Sequence, residues 1–324
     1  MTKEAKQLTV TTGTILFIII TLARSTSFLM SKQMLVTMEP LNLLGIRFLM
    51  AFLILFVAFL PRVLRSIKDN PQILKAALVL GAINFFTMTA ELLGLRQTSS
   101  SACAFLENTA IVMVPIAEAI LLRKKPTPII IVSALITMTG IGFLALPGGT
   151  GLSLGAGETL CIIAAVLYTG AIIATDRLSK RYDPLSLRII YVGITGVMAM
   201  ITSFVTETPT LPTNEIQWGL LLGLALLCTC VGFSLQTVAQ RPLSAERVSQ
   251  LCALNPLGAT FFGWIILGEK LELLGIIGAA LILAGILCSS KSMLTTETDT
   301  DAPDTALDST KRRQSSTDSC RPAS

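Results

Sequence analysis

The chain has 324 residues, of which 52% are hydrophobic and only 14% charged, whereas charged residues make up about a quarter of a typical soluble domain. This composition predicts an integral membrane protein, and the absence of histidine excludes histidine metal sites as well as serine–histidine and cysteine–histidine catalysis. The formal net charge is +5, with Lys and Arg in short clusters between apolar runs, so no nucleic-acid partner is expected.

Apolar runs of about 20 residues, the length of a membrane-crossing helix, recur along the chain between loops rich in proline and glycine. The first run follows Lys3 and Lys6 and has no small-residue cleavage site, so we interpret it as a retained helix and not as a signal peptide. The protein is therefore predicted to be an all-α membrane protein. Its ten predicted transmembrane helices are 12–31, 41–60, 73–95, 99–122, 128–146, 157–175, 187–205, 217–238, 245–267 and 271–288.

The basic residues lie mainly in alternate loops. If the amino terminus is cytoplasmic, the opposite loops hold only Lys32, Arg96 and Lys270. Lys and Arg favour the cytoplasmic side of a membrane, so both termini are predicted to be cytoplasmic, in a plasma (inner) membrane, with lipids as the surrounding partner.

An internal repeat accompanies this pattern. Pro40-Leu41 follows Glu39 as Pro184-Leu185 follows Asp183, an offset of 144 residues, and an offset of 145 matches Ser99 with Ser244 and Gly140 with Gly285. Five helices cross the membrane an odd number of times, so the second copy must be inverted, and inverted repeats typically hold a substrate between them near mid-membrane. The predicted organisation is a cytoplasmic amino terminus (1–11), a first five-helix repeat (12–146), a loop (147–156), a second five-helix repeat (157–288) and a disordered cytoplasmic tail (289–324).

Several short stretches carry a family resemblance: Ile46-Arg47-Phe48, the run from Thr98 to Leu106, Asn255-Pro256-Leu257 and Leu267-Gly268-Glu269-Lys270. Over about residues 12–289, the chain resembles the EamA-type branch of the drug/metabolite transporter superfamily. The resemblance implies two five-helix repeats, cytoplasmic termini and solute transport. Where the family usually shows Trp-Gly in helix 1, this chain has Arg24-Ser25, and Tyr168 is the aromatic residue at the matching place in the second repeat. The helix-1 glutamate that four-helix relatives use as a proton site has no counterpart here, so proton coupling would need another carboxylate.

Ionisable residues inside the predicted helices form the candidate site. Counting the helical rise from each midpoint places Arg24 and Glu107 at matching depth, with Arg47 and Glu91 slightly further outward, so we predict the pairs Arg24–Glu107 and Arg47–Glu91 in one charged layer. The second repeat is expected to contribute no full charge at that depth. The candidate substrate-binding or coupling residues are Glu107, Arg24, Glu91, Arg47, Asn84, Tyr168, Gln236 and Asn255. A second interpretation is equally open for Arg47 and Glu91, namely that the pairs are buried ion pairs that fix helix packing.

These features predict a secondary active transporter that moves a small metabolite, amino-acid-like or drug-like solute outward by alternating access, with Glu107 first and Glu91 second as the group that exchanges a proton or a substrate ammonium. The alternative is a non-transporting membrane scaffold or an intramembrane lipid-handling protein. An enzyme is not expected, because every aspartate lies in a loop, a helix end or the tail and no histidine is present. No catalytic residue, metal ligand or cofactor is predicted.

Overall fold

The computed structural model describes residues 3–98, 100–122, 128–145, 155–233, 235–236, 239, 242–243, 245–255, 257–258 and 276–288. Within these ranges the chain is built of helices and the turns that join them. The helices are α1 (Lys3–Arg24), α2 (Ser27–Met34), α3 (Pro40–Ala58), α4 (Leu60–Asp69), α5 (Gln72–Gln97), α6 (Ser100–Glu107), α7 (Ala110–Leu122), α8 (Pro128–Ala145), α9 (Ala156–Arg181), α10 (Pro184–Thr206), α11 (Glu215–Gly223), a π-helical segment (Leu224–Phe233), α12 (Ala245–Cys252) and α13 (Ile276–Cys288). The predicted tail, 289–324, and most of the predicted loop at 147–156 lie outside the described residues.

Seven helical segments are long and apolar enough to cross a membrane, which confirms an all-α, multi-pass membrane protein. They are Thr11–Met34, Pro40–Ala58, Gln72–Gln97, Cys103–Leu121, Ala156–Arg181, Pro184–Thr206 and Glu215–Gly232, and two shorter apolar helices are Pro128–Phe143 and Ile276–Cys288. The predicted span at 245–267 is described only in part, so the count of ten stays a prediction.

Several helices pack closely at glycines, and some of these contacts occur as matched pairs. A Cβ on Gly13 would lie 2.7 Å from Pro242 Cγ and 3.0 Å from the Ala239 carbonyl oxygen. A Cβ on Gly157 would lie 2.9 Å from Gln97 Cβ and 3.3 Å from the Gly94 carbonyl oxygen. The two glycines are 144 residues apart, and their contact partners are 145 apart. Each contact is therefore the repeat image of the other.

The same relation holds between α8 and α13. A Cβ on Gly140 would lie 2.7 Å from the Gly278 oxygen and 2.9 Å from the Ile282 nitrogen. Its equivalent, Gly285, faces the Ser133 oxygen at 2.9 Å and the Thr137 nitrogen at 3.1 Å. Gly285, Gly278 and Ile282 lie 145 residues after Gly140, Ser133 and Thr137, respectively. The helix packing of the two halves therefore obeys a two-fold relation.

The packing of α3 against α10 also shows this relation. Gly193 packs against Phe52 and Gly196 against Leu49, and these two contacts are images of each other at the offset of 144. The offset thus increases to 145 between Gly196 and Ala239, an interval that contains the π-helical segment. After that segment the offset is 145 residues, so Gln236 is the repeat equivalent of Glu91.

A carboxylate binds the first turn of each central helix. Glu207, just after α10, accepts the N–H groups of Leu41 (2.9 Å) and Asn42 (2.8 Å) at the start of α3. Asp183 accepts the N–H of Ser186 (3.0 Å) at the start of α10, and Arg62 donates to the two Asp183 oxygens at 2.7 and 3.1 Å. Helix N-termini favour such anionic groups, so these contacts define where both helices begin.

Candidate functional site

Two of the predicted continuous helices are each interrupted by a two-residue turn, and both of these breaks lie beside a candidate charge. The first helix divides after Arg24 into α1 and α2, where Ser25 and Thr26 donate their hydroxyls to backbone oxygens three residues earlier. Such local hydrogen bonds compete with the helical ladder. A helix interruption within a membrane is typical of transporter substrate sites, because the loosened backbone lies inside the protein.

The second break follows Glu107 and separates α6 from α7. The Asn108 side-chain amide donates to the Ala104 oxygen at 2.7 Å, and the Thr109 hydroxyl donates to the Leu106 oxygen at 2.6 Å. Glu107 itself is 8% exposed. Among the described residues, its Oε2 atom is buried without a hydrogen-bond partner. Burying a carboxylate oxygen without a hydrogen bond costs free energy, so binding of a proton or of a cationic ligand is favoured at this position.

Arg24 does not form the predicted ion pair with Glu107. Its Nη1 donates to Oε1 of Gln236, and its aliphatic stem lies against Gly232 of the π-helical segment. Glu107 nevertheless lies close enough to Arg24 and Glu91 for their charges to act on it. Arg24 therefore connects the first repeat to the second. The depth of Arg24 in the membrane, which the sequence gives, does not predict this partner.

Arg47 also has partners other than the predicted Glu91. Its Nε donates to Thr229 Oγ1 at 2.8 Å and its Nη2 to Ser27 Oγ at 3.2 Å. The Thr229 hydroxyl in turn donates to the Leu224 oxygen, five residues back, at 3.0 Å. Arg47 thus binds a side chain of the π-helical segment, and such segments occur frequently at functional sites.

The charged layer is therefore a cluster and not two ion pairs. Glu91 lies within electrostatic range of both Arg47 and Arg24. The ion pairs within 4 Å in the described part of the chain are instead Arg62–Asp183, Arg96–Glu39 and Lys180–Asp176.

A cavity opens between α5, α9, α10 and Gln236, which follows the π-helical segment. Its polar lining residues are Asn84, Tyr168, Thr175, Arg188, Tyr191 and Gln236, and the remaining lining is apolar. Three predicted candidates, Asn84, Tyr168 and Gln236, meet here. Asn84 donates to Thr195 Oγ1 at 3.2 Å, and the Tyr168 hydroxyl lies 3.3 Å from Cys252 Sγ. Asn255 is half-buried after α12 and is not part of this lining.

Sequence reasoning missed Arg188. It is 6% exposed, and its guanidinium carbon lies 4.3 Å from the centre of the Tyr191 ring. The prediction named no charge of the second repeat for the site, and Arg188 adds one to the cavity lining. The predicted helix began at 187, whereas α10 begins at Pro184 and places Arg188 inside the helix. The dipeptide Asp183-Pro184 was the available signal, because an N-cap aspartate before a proline marks a helix start.

Two related halves, broken membrane helices and buried charges beside a cavity define a multi-pass membrane transporter. The chain belongs to the EamA-like transporter family, whose model matches residues 11–146 and 155–291, one match for each half. This family assignment, with relatives that are named as transporters, identifies a transporter and not an enzyme.

Similar proteins extend over most of the chain. An S-adenosylmethionine/S-adenosylhomocysteine transporter of Chlamydia trachomatis serovar L2 is 28% identical over 259 residues, covering 76% of this chain and 79% of the relative. An uncharacterized transporter of Archaeoglobus fulgidus is 24% identical over 237 residues, covering 73% of this chain and 84% of the relative. A solved crystal structure with 16% identity superposes with a TM-score of 0.71 over 86% of this chain and 96% of its own, which supports the fold.

Proposed function

We propose that this protein is a secondary active transporter that carries an amino-acid-like solute of the S-adenosylmethionine class by alternating access between two inverted five-helix repeats. The class is suggested by what the Chlamydia relatives are named for. S-adenosylmethionine has a carboxylate, an ammonium and a sulfonium group, and S-adenosylhomocysteine has a neutral thioether in place of the sulfonium. A site for such molecules needs groups of both signs, and the cluster of Arg24, Arg47, Glu91 and Glu107 supplies them.

The proposal is supported mainly by the state of the Glu107 carboxylate. Its Oε2 is buried at a helix break without a hydrogen-bond partner among the described residues. In the membrane interior such a group is stabilised by a proton or by a cationic ligand. Glu107 therefore binds the cationic part of the solute in one step of the cycle and a proton in the other, and Glu91 is the second candidate for the proton.

The protein exports its solute across the plasma membrane, with ten spans and both termini in the cytoplasm. The excess of Lys and Arg in alternate loops supports this orientation. The two-fold relation of the glycine contacts supports two equivalent halves that rock against each other.

Transport by purified protein in proteoliposomes tests the proposal. Labelled S-adenosylmethionine, S-adenosylhomocysteine, methionine, a polyamine and a cationic dye are followed with and without an imposed pH gradient, in wild type, Glu107→Gln and the exposed control Glu215→Gln. We expect Glu107→Gln to lose the dependence of flux on the pH gradient and Glu215→Gln to retain it. Gradient-driven flux that survives in Glu107→Gln contradicts the coupling role. A wild type that moves none of these solutes favours the scaffold alternative.

A further inference from the structure

The second repeat differs from the first in its charges although it matches the first in its packing. The four charged candidates of the first repeat have neutral equivalents at the offsets that the glycine contacts establish. These equivalents are Tyr168 for Arg24, Tyr191 for Arg47, Gln236 for Glu91 and Cys252 for Glu107. Three of them, Tyr168, Tyr191 and Gln236, line the cavity.

Arg188 is the exception to this neutral pattern. Its equivalent in the first repeat is Leu44, a fully buried core residue in α3. A charge that replaces a core leucine is not inherited from the shared packing of the two halves. Because burying a guanidinium is costly, its presence in a membrane helix beside a cavity indicates a role that the first repeat lacks.

The geometry at Arg188 suits a carboxylate ligand. The guanidinium carbon lies over the Tyr191 ring, 4.3 Å from its centre. A guanidinium has N–H donors in a planar fork that matches the two oxygens of a carboxylate. Arg188 and Tyr191 both line the cavity, so a ligand there lies beside a positive charge and an aromatic ring.

A second positive charge acts on the same cavity. Arg24 lies within electrostatic range of Arg188, and it is hydrogen bonded to Gln236, which also lines the cavity. Two guanidinium groups in a medium of low dielectric repel each other, and an anion placed near both is attracted by both.

We infer that the cavity between α5, α9 and α10 is the carboxylate subsite of the transporter, with Arg188 as the bidentate partner of an amino-acid carboxylate and Tyr191 as the platform that holds the guanidinium. This inference rests on the proposed function. The carboxylate is bound by the second repeat and the cationic part of the solute by Glu107 of the first. A zwitterion therefore joins the two repeats, whereas an amine that lacks a carboxylate contacts only one of them.

Matched pairs of ligands test the subsite by binding to purified protein in lipid nanodiscs. Each pair is an amino acid and its decarboxylated amine: S-adenosylmethionine with decarboxylated S-adenosylmethionine, methionine with 3-methylthiopropylamine, and lysine with cadaverine. The variants are Arg188→Gln, Arg188→Lys and a control, Arg181→Gln. Arg181 also stacks on a neighbouring tyrosine, at 5.7 Å from the centre of the Tyr182 ring, but it is exposed and lies outside the cavity lining.

We expect Arg188→Gln to weaken binding of the amino acid by about tenfold or more, the effect of losing a charged hydrogen-bond pair, and to leave binding of the amine unchanged. Arg188→Lys should recover part of the loss, because it keeps the charge without the fork, and Arg181→Gln should match wild type. A loss of equal size for both members of a pair, or no loss for either, overturns the subsite.

Failure of the subsite can be distinguished from failure of the proposed function. If wild type binds a pair but does not distinguish the acid from the amine, the carboxylate subsite is refuted while the transporter proposal stands. If wild type binds no member of any pair, the amino-acid-like solute class is refuted, and the subsite with it. Thermal unfolding of each variant identifies a variant that fails to fold, and Arg188→Lys then supplies the comparison.

Discussion

Replacing Gly140 by alanine should measure how tightly the two halves pack. The new Cβ would lie 2.7 Å from the Gly278 oxygen and 2.9 Å from the Ile282 nitrogen, and ordinary contact begins at 3.4 Å. Both atoms belong to the backbone of α13, so no side chain can rotate away and the helices must separate by several tenths of an ångström. Such overpacking typically costs about 1–3 kcal/mol. Alanine regains up to about 1 kcal/mol of helix propensity, so the expected net loss is about 0–2 kcal/mol.

The control for this substitution is Gly170→Ala in α9. A Cβ on Gly170 would have no atom within 4 Å, so only the gain in helix propensity remains, and this variant should equal or exceed wild type in stability. Reversible unfolding in mixed micelles measures the free energy of unfolding of all three proteins. If Gly140→Ala is as stable as Gly170→Ala, the helices are not in the close contact that the two-fold relation requires.

Five further substitutions at four residues address hydrogen bonds at helix ends and at the π-helical segment. Asp183→Asn should lower the free energy of unfolding by about 1 kcal/mol because it weakens the cap of α10, and Arg62→Gln should cost less because an exposed ion pair contributes about 0–1 kcal/mol. Partial burial would raise the pKa of Asp183, but hydrogen bonds from Arg62 and the first turn of α10 outweigh it and hold the pKa below its usual value of 3.8. The stabilisation is therefore complete above that value and is lost as the pH falls through the lowered pKa, so thermal unfolding temperatures of wild type and Asp183→Asn should converge in acid. Thr229→Val should destabilise the protein by about 2–3 kcal/mol in chemical unfolding, since it removes the acceptor of a buried Arg47 N–H, and Thr229→Ser should retain most of the stability. Glu207→Ala should cost about 1 kcal/mol by the same measurement, because two N–H groups at the start of α3 lose a charged acceptor.

Helix starts could be predicted where the sequence contains a local signal, and helix breaks could not. Pro40 and Pro184 begin α3 and α10, where a proline after an acidic N-cap residue marks a helix start. The predicted spans began at 41 and 187, so the first start was predicted within one residue and the second was missed by three although the same signal was present. The breaks after Arg24 and Glu107 were missed, because hydropathy averaged over a full span is insensitive to two adjacent polar residues. What breaks the helix is a pair of side-chain hydrogen bonds to the backbone, and their geometry is decided by packing.

The sequence predicted which residues belong to the site, but not which of them contact each other. The depth of Arg24 and Glu107 follows from counting residues, but which neighbour each meets depends on the rotation of every helix about its axis. Arg24 bonds a residue 212 positions away in the other repeat. No periodicity within helix 1 contains that information.

The two-fold relation suggests where Arg24 goes when the transporter changes state. In the second repeat, Tyr168 touches Cys252 at 3.3 Å, and these residues are the equivalents of Arg24 and Glu107. In the first repeat, Arg24 is instead bonded to Gln236. If the two repeats exchange conformations between outward-open and inward-open states, the contact now made by Tyr168 and Cys252 in the second repeat is then made by their equivalents in the first repeat. We then expect Arg24 to leave Gln236 and to contact the open oxygen of Glu107.

A double-mutant cycle on transport rate tests this exchange. Arg24 and Glu107 do not pair in the present state, so a coupling between them in the transport cycle reports a contact made in another state. Contacting charged residues show interaction energies of about 0.5–3 kcal/mol, so Arg24→Gln combined with Glu107→Gln should transport clearly faster than the product of the two single effects implies. Arg24→Gln combined with Asp183→Asn, a residue at the start of α10 outside the charged cluster, should be additive. Additivity in both pairs would mean that Arg24 stays bonded to Gln236 throughout transport, and that Glu107 is then satisfied by the solute or a proton alone.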